Sequence, residues 1–234
     1  MPKDVVEVEK ESFYRGVREI FDSLVKEKVD AVIFPLRGAE IIARCLKLLY
    51  ELEGAKKRGS DEPAVRQPEF IFLKIGEFDK KGSRKLRPEG IMAQIRGGID
   101  SSQAAKLGAP VYALVDEAIS GGSISLNSKR IGNHLRRRQP NAKLLVYALK
   151  QTQIKTHVAP LYQKNVDRGV ITPVYVERVF FSDNPQLLHP LELNETGSTH
   201  VKRGGSTFER LGIYTDFQLR ARELRGTRER VSKV

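Results

Sequence analysis

The chain has 234 residues, with 41 Lys and Arg against 29 Asp and Glu, a net charge of +12. Hydrophobic residues make up 40% and charged residues 30%, which excludes a disordered chain and fits one full core, or one domain with a small annex. The single cysteine, Cys45, excludes an intrachain disulfide, and no apolar run approaches the roughly 18 to 20 residues that span a bilayer. The opening MPKDVVEVEKES has no apolar signal core, so a reducing, cytoplasmic setting is expected.

Ser12 is expected to cap a helix that runs to about Lys28, with Phe13, Val17, Ile20, Phe21, Leu24 and Val25 on its buried face. After Asp30, the run Ala31 to Leu36 reads as a buried parallel strand. Arg37, Gly38 and Ala39 form a tight turn, and a second helix begins at Glu40 and ends near Gly54. Residues 55 to 68 read as a loop, and EFIFLKI (Glu69 to Ile75) as a strand. Residues 76 to 109 hold six glycines and little periodicity, with a short strand around Ile91 to Ile95. A stretch this long without regular structure is usually functional.

Val111 to Val115 is the next strand, followed by a turn and a helix to about Arg138 with Ile131 and Leu135 buried. Pro140 and Asn141 break the chain before a fourth strand, Lys143 to Leu149. Residues 150 to 169 are polar, and Val174 to Phe181 is a fifth strand. Short apolar strands alternating with helices imply an α/β fold, a central and mostly parallel sheet flanked by helices on both faces. The expected division is an α/β domain over 1–194 and a basic C-terminal extension over 195–234.

Two strand-to-helix turns concentrate the chemistry, because ligands of open parallel sheets bind past the carboxyl ends of strands. In the second turn Asp116 and Glu117 end a strand, and Gly121 and Gly122 let backbone approach a ligand without a side chain between. Ser120 and Ser123 add hydroxyls, and the helix start after them favours a phosphate. Carboxylates repel phosphate but accept hydrogen bonds from sugar hydroxyls. The group therefore suits a sugar phosphate. His134, His157, His189 and His200 show no metal-ligand spacing, His134 is expected on a polar helix face, and Cys45 reads as a buried small hydrophobe.

YALVDEAISGGSI (Tyr112 to Ile124) resembles the signature that binds 5-phosphoribosyl 1-pyrophosphate (PRPP) in type I phosphoribosyltransferases. The upstream DAVIFPLRGAEIIA (Asp30 to Ala43) resembles that family's pyrophosphate loop. The resemblance covers roughly residues 10 to 190. It implies that Asp116 and Glu117 hold the ribose hydroxyls and, through PRPP, a Mg²⁺ ion. Ala118, Ile119, Ser120, Gly121, Gly122, Ser123 and Ile124 complete that loop around the 5′-phosphate, and Arg37, Gly38 and Ala39 contact the pyrophosphate. The basic stretch Asp79 to Gly90 takes the place of the family's closing loop, which makes Lys81, Arg84 and Lys85 catalytic candidates with Arg37, Asp116 and Glu117. Phe180, Phe181 and Asp183 lie where the family places aromatic and acidic groups around its acceptor base, while core packing of the two phenylalanines and a plain turn at Asp183 are the alternative reading. Ser120 stands where purine-using members often carry an aspartate base.

Three readings follow. The resemblance implies an enzyme that displaces pyrophosphate from ribose C1 with a nitrogen acceptor. The charge of +12 and the basic patches also fit a PRPP- or nucleotide-sensing regulator that binds nucleic acid. A third is a module docked on a protein partner, as in a defence or toxin system, and self-association into a homo-oligomer is equally open. A membrane partner is not expected.

Overall fold

A computed structural model describes residues 3–35, 39–56, 65–73, 75, 88–118, 121–152, 158–177, 192–193 and 199–200. Side chains are described for the same residues except 3–10, 40, 55, 56, 192, 193, 199 and 200. The chain runs α1 (Lys3–Lys26), β1 (Ala31–Pro35), α2 (Glu40–Lys56), β2 (Glu69–Leu73), α3 (Pro88–Asp100) and β3 (Val111–Ala118). It continues through α4 (Gly122–Arg138), β4 (Lys143–Gln151), α5 (Pro160–Asp167) and β5 (Thr172–Val176). Two short strands, β6 (Glu192–Leu193) and β7 (Thr199–His200), pair antiparallel with each other.

The five strands β1 to β5 form one sheet in the order β2-β1-β3-β4-β5, every pair parallel. Asp30, just before β1, aligns β1 with its two neighbours, β2 and β3. Its N–H donates to Val111 O (2.8 Å), Glu69 N donates to its carbonyl (2.9 Å), and its carboxylate accepts from Val111 N (2.9 Å). Alternation along the strands sends their side chains into two cores. Val32, Phe34, Ala113, Val115, Leu149 and Val176 meet α1 and α2 on one face. Ala31, Ile33, Tyr112, Leu114, Val146 and Ala148 meet α3, α4 and α5 on the other. These are the sides that right-handed crossovers demand when the chain first steps from β1 to β2 and then returns past β1 to β3.

Helix α1 begins at Lys3, well before the expected cap at Ser12. Ser12 is instead buried mid-helix, and its hydroxyl accepts the N–H of Glu177 just past β5 (3.0 Å). A serine beside an apolar run resembles a cap in sequence; here a distant strand end supplies its partner. Gly16 makes the close contact between α1 and the sheet. A Cβ there would lie 2.6 Å from Val176 Cγ1 and 2.8 Å from Leu149 Cδ1. Gly16→Ala should therefore cost about 1–3 kcal/mol through overpacking. The change would be read as a lower urea midpoint with an unchanged slope.

Two expectations fail over residues 88–109. Ile91 to Ile95 is no strand but part of α3, with Ile91, Ile95 and Ile99 all buried on one side. Their four-residue spacing is helical, and Pro88 suits a first helical position. The pair Gly97 and Gly98, each about 1 kcal/mol worse than Ala in a helix, obscures that period. The rest of the stretch holds a 3-10 turn at Ala104–Lys106, whose start is held by Glu69 Oε2 accepting from Gln103 N (2.7 Å) and Ala104 N (3.3 Å). The polar stretch 150–169 likewise contains the end of β4 and helix α5. The fifth strand lies at Thr172–Val176 rather than Val174 to Phe181, whose last four residues fall outside the described ones.

His134 is also not on a polar face. It is 5% exposed, and its Nε2 lies 2.7 Å from Asp100 Oδ1, tying α4 to the end of α3. Near it the Tyr112 hydroxyl donates to Gln139 Oε1 (3.0 Å). Cys45 is fully buried as expected, and desolvation pushes its thiol well above the usual range.

Candidate functional site

The strand order reverses between β1 and β3. From β1 the chain steps to β2 on one side, and from β3 it steps to β4 on the other. In doubly wound sheets the connections diverge at such a point and leave a crevice past the two carboxyl ends. The ends of β1 and β3, from which the two turns singled out in the sequence lead, lie there. Ala39, at the end of the first, is fully buried and accepts from Ala43 N (2.9 Å) to open α2. Arg37 and Gly38 lie outside the described residues, as do Ile119 and Ser120 of the second turn.

Asp116 and Glu117 occupy successive positions of β3, so they point to opposite faces of the sheet. Asp116 shares the face of Tyr112, Leu114 and Ala118, which pack with α3, α4 and α5. Glu117 shares the face of Ala113 and Val115, toward α1 and α2. A ligand touched by both carboxylates must lie beyond the strand end. Their backbone link is short: Glu117 N donates to Asp116 Oδ1 (2.9 Å). Asp116 is 6% exposed. Burial, and secondarily the charge of Glu117, push its carboxyl well above the ordinary carboxylate range, and the Glu117 N–H only partly offsets this. A carboxyl so placed is stabilised by a proton, a hydroxyl donor or a cation.

Gly121 then turns the chain into α4. It adopts a left-handed φ of +80°, and no side chain caps the helix. The first helical bonds are its own carbonyl accepting from Ser125 N (3.2 Å) and from the Ser125 hydroxyl (2.8 Å). The amides of Ser123 and Ile124 precede that ladder and belong to the helix's positive end. The side chain of Ile124 is 1% exposed and that of Ala118 is 2% exposed, both in the core, so these two residues can offer a ligand only backbone. Across the turn, the Cβ and ring of Tyr162 on α5 abut Gly121.

Register adds one residue that the sequence reading passed over. Lys150 pairs with Ala118 on β3 and with Tyr175 on β5, so it shares Asp116's face, one strand away and two residues further along. It is 7% exposed, and burial lowers its amine from the usual range. The signal was present in KLLVYALK, where period-two alternation turns the last lysine toward the same core as Leu144 and Val146.

The structure thus carries Asp116, Glu117, Ala118, Gly121, Gly122, Ser123 and Ile124 on one strand end and the helix start that follows it, and Ala39 at the start of the helix after the neighbouring strand. The expected closing segment, with Lys81, Arg84 and Lys85, falls in sequence between β2 and α3. Those three residues, with Phe180, Phe181 and Asp183, lie outside the described residues. Among the described residues no cluster of three or more His, Cys, Asp or Glu could hold a metal by itself. Among them, too, no helix is long and apolar enough to cross a membrane. No protein-family model matches the chain, and no curated protein matches it.

Proposed function

We propose that the protein is a type I phosphoribosyltransferase that binds PRPP at the end of β3 and start of α4. The supporting observation is the buried Asp116 leading through left-handed Gly121 into an uncapped helix start, at the point where strand order reverses. The helix amides suit the 5′-phosphate, and the acidic strand end suits ribose hydroxyls. Mg²⁺ is a hard cation usually held by substrate phosphates and one or two carboxylates, which fits this donor set better than an all-protein cage. The reaction would form a bond from an acceptor nitrogen to ribose C1 while the C1–O bond breaks and its electron pair leaves with pyrophosphate. Arg37 and the segment with Lys81, Arg84 and Lys85 would stabilise that leaving charge. Phe180, Phe181 and Asp183 would meet the acceptor.

Calorimetry with PRPP and Mg²⁺ tests the reading, followed by a pyrophosphate-release screen over nitrogen bases and amines. Saturable, Mg²⁺-dependent binding is expected, with release for at least one acceptor. A folded protein that ignores PRPP with and without Mg²⁺ overturns the proposal. Binding without any release would favour the second reading, a PRPP-sensing regulator that binds nucleic acid. One feature supports that reading. Helix α4 contains no acidic residue and ends in the exposed Arg136, Arg137 and Arg138. Such a regulator requires nucleic-acid binding that falls steeply with salt.

A further inference from the structure

The turn between β3 and α4 is pressed against α5 by unusually close packing. A Cβ on Gly121 would fall 2.2 Å from both Cγ and Cδ2 of Tyr162 and 2.7 Å from its Cβ. Cβ is fixed by the α5 backbone, and Cγ and Cδ2 belong to a ring packed in the core, where it has little room to swing aside. Tyr162 is 3% exposed and is the buried anchor of α5. On the other side of Gly121, its carbonyl is held by the Ser125 hydroxyl, itself fully buried. The left-handed glycine is therefore clamped from two directions before any ligand arrives. The Tyr162 hydroxyl is buried and has no hydrogen-bond partner among the described residues. The geometric role of this side chain accordingly lies in its ring.

We propose that Tyr162 is a positioning residue whose ring, packed on Gly121, holds the phosphate-binding turn in its binding conformation. This rests on the PRPP reading above for its functional consequence and on packing alone for its structural one. A turn already in place spares the ligand the cost of ordering it, so the effect belongs in affinity. It also couples α5, and through it the β4-to-β5 side of the sheet, to the residues that hold phosphate.

The test compares wild type, Tyr162→Ala and Tyr162→Phe, well below their melting temperatures. PRPP with Mg²⁺ is titrated by calorimetry, and amide hydrogen exchange is followed at 121–125. Tyr162→Ala should weaken PRPP binding about tenfold, raising KM more than it lowers kcat, and should speed exchange at the turn. Tyr162→Phe should restore both. Thermal melts of Gly121→Ala, alone and with Tyr162→Ala, add a coupling readout. The double variant should lose less than the sum of the singles, because Cγ and Cδ2 are no longer in the way. If Tyr162→Ala leaves both exchange at the turn and PRPP affinity unchanged, the positioning role is overturned. If wild type binds no PRPP, the function reading falls, and the exchange and coupling data still decide whether Tyr162 holds the turn.

Discussion

Asp116→Asn is expected to make the protein more stable at pH 7 while removing the proposed transferase activity. In the folded chain burial raises the Asp116 carboxyl well above its ordinary value of 3.8. Between that value and the folded one, the native state holds a proton that the unfolded state has released. Stability contributed by the neutral carboxyl is fully present below the unfolded value and is lost as pH rises through the folded value. Asparagine keeps the neutral shape and the acceptor for Glu117 N, and it does not titrate. The variant should gain about 1–2 kcal/mol at pH 7, or roughly 2–8 °C in melting temperature. Melting curves between pH 4 and 8 check this: wild type should fall relative to the variant as pH rises, and parallel curves would refute the buried-charge account. If the proposed function holds, the same change should lower PRPP turnover about 100-fold or more, about 2.7 kcal/mol of barrier. A variant with wild-type turnover would remove Asp116 from the chemistry.

Gly121→Ala should be the most disruptive single methyl in the described part of the chain. The left-handed φ of +80° costs an alanine about 1–2 kcal/mol. The collision with the Cβ and ring of Tyr162 adds about 1–3 kcal/mol of overpacking. A total of about 3 kcal/mol lowers the melting temperature by roughly 6–12 °C. Gly169 provides the control. Its φ is +66°, and nothing lies within 4 Å of the added Cβ. Gly169→Ala should show only the backbone penalty, about 1–2 kcal/mol. Equal losses at the two sites, measured as urea midpoints, would mean that Tyr162 yields freely.

The α/β architecture was legible because its signals are local. Ala31 to Phe34 and Val111 to Val115 are short, wholly apolar runs, and each leads through glycine into a helical period. The acidic strand end and its glycines could be found the same way, since strand, turn and helix are contiguous. What escaped depends on partners remote in sequence. Ser12 resembles a cap until Glu177, 165 residues away, supplies its donor. His134 looks like a surface residue until Asp100 on another helix meets it. Helix α3 was hidden by its glycine pair, whose propensity penalty is overridden by three isoleucines buried against β2. Lys150 was missed because a lysine at a strand's end normally reaches water, although the alternation of KLLVYALK already put it on the inward face that its pairing with Ala118 shows.

The bond between Ser12 and Glu177 has a consequence for how the chain assembles. Helix α1 docks mainly on β4 and β5 and on α2, so much of its apolar face waits for strands that leave the ribosome more than a hundred residues later. During synthesis Phe13, Val17, Ile20 and Leu24 would face solvent or a chaperone until β5 emerges. Such long-range closure predicts slow, late docking of α1. Nascent chains arrested before residue 172 should keep α1 open to protease, and chains released beyond residue 177 should protect it.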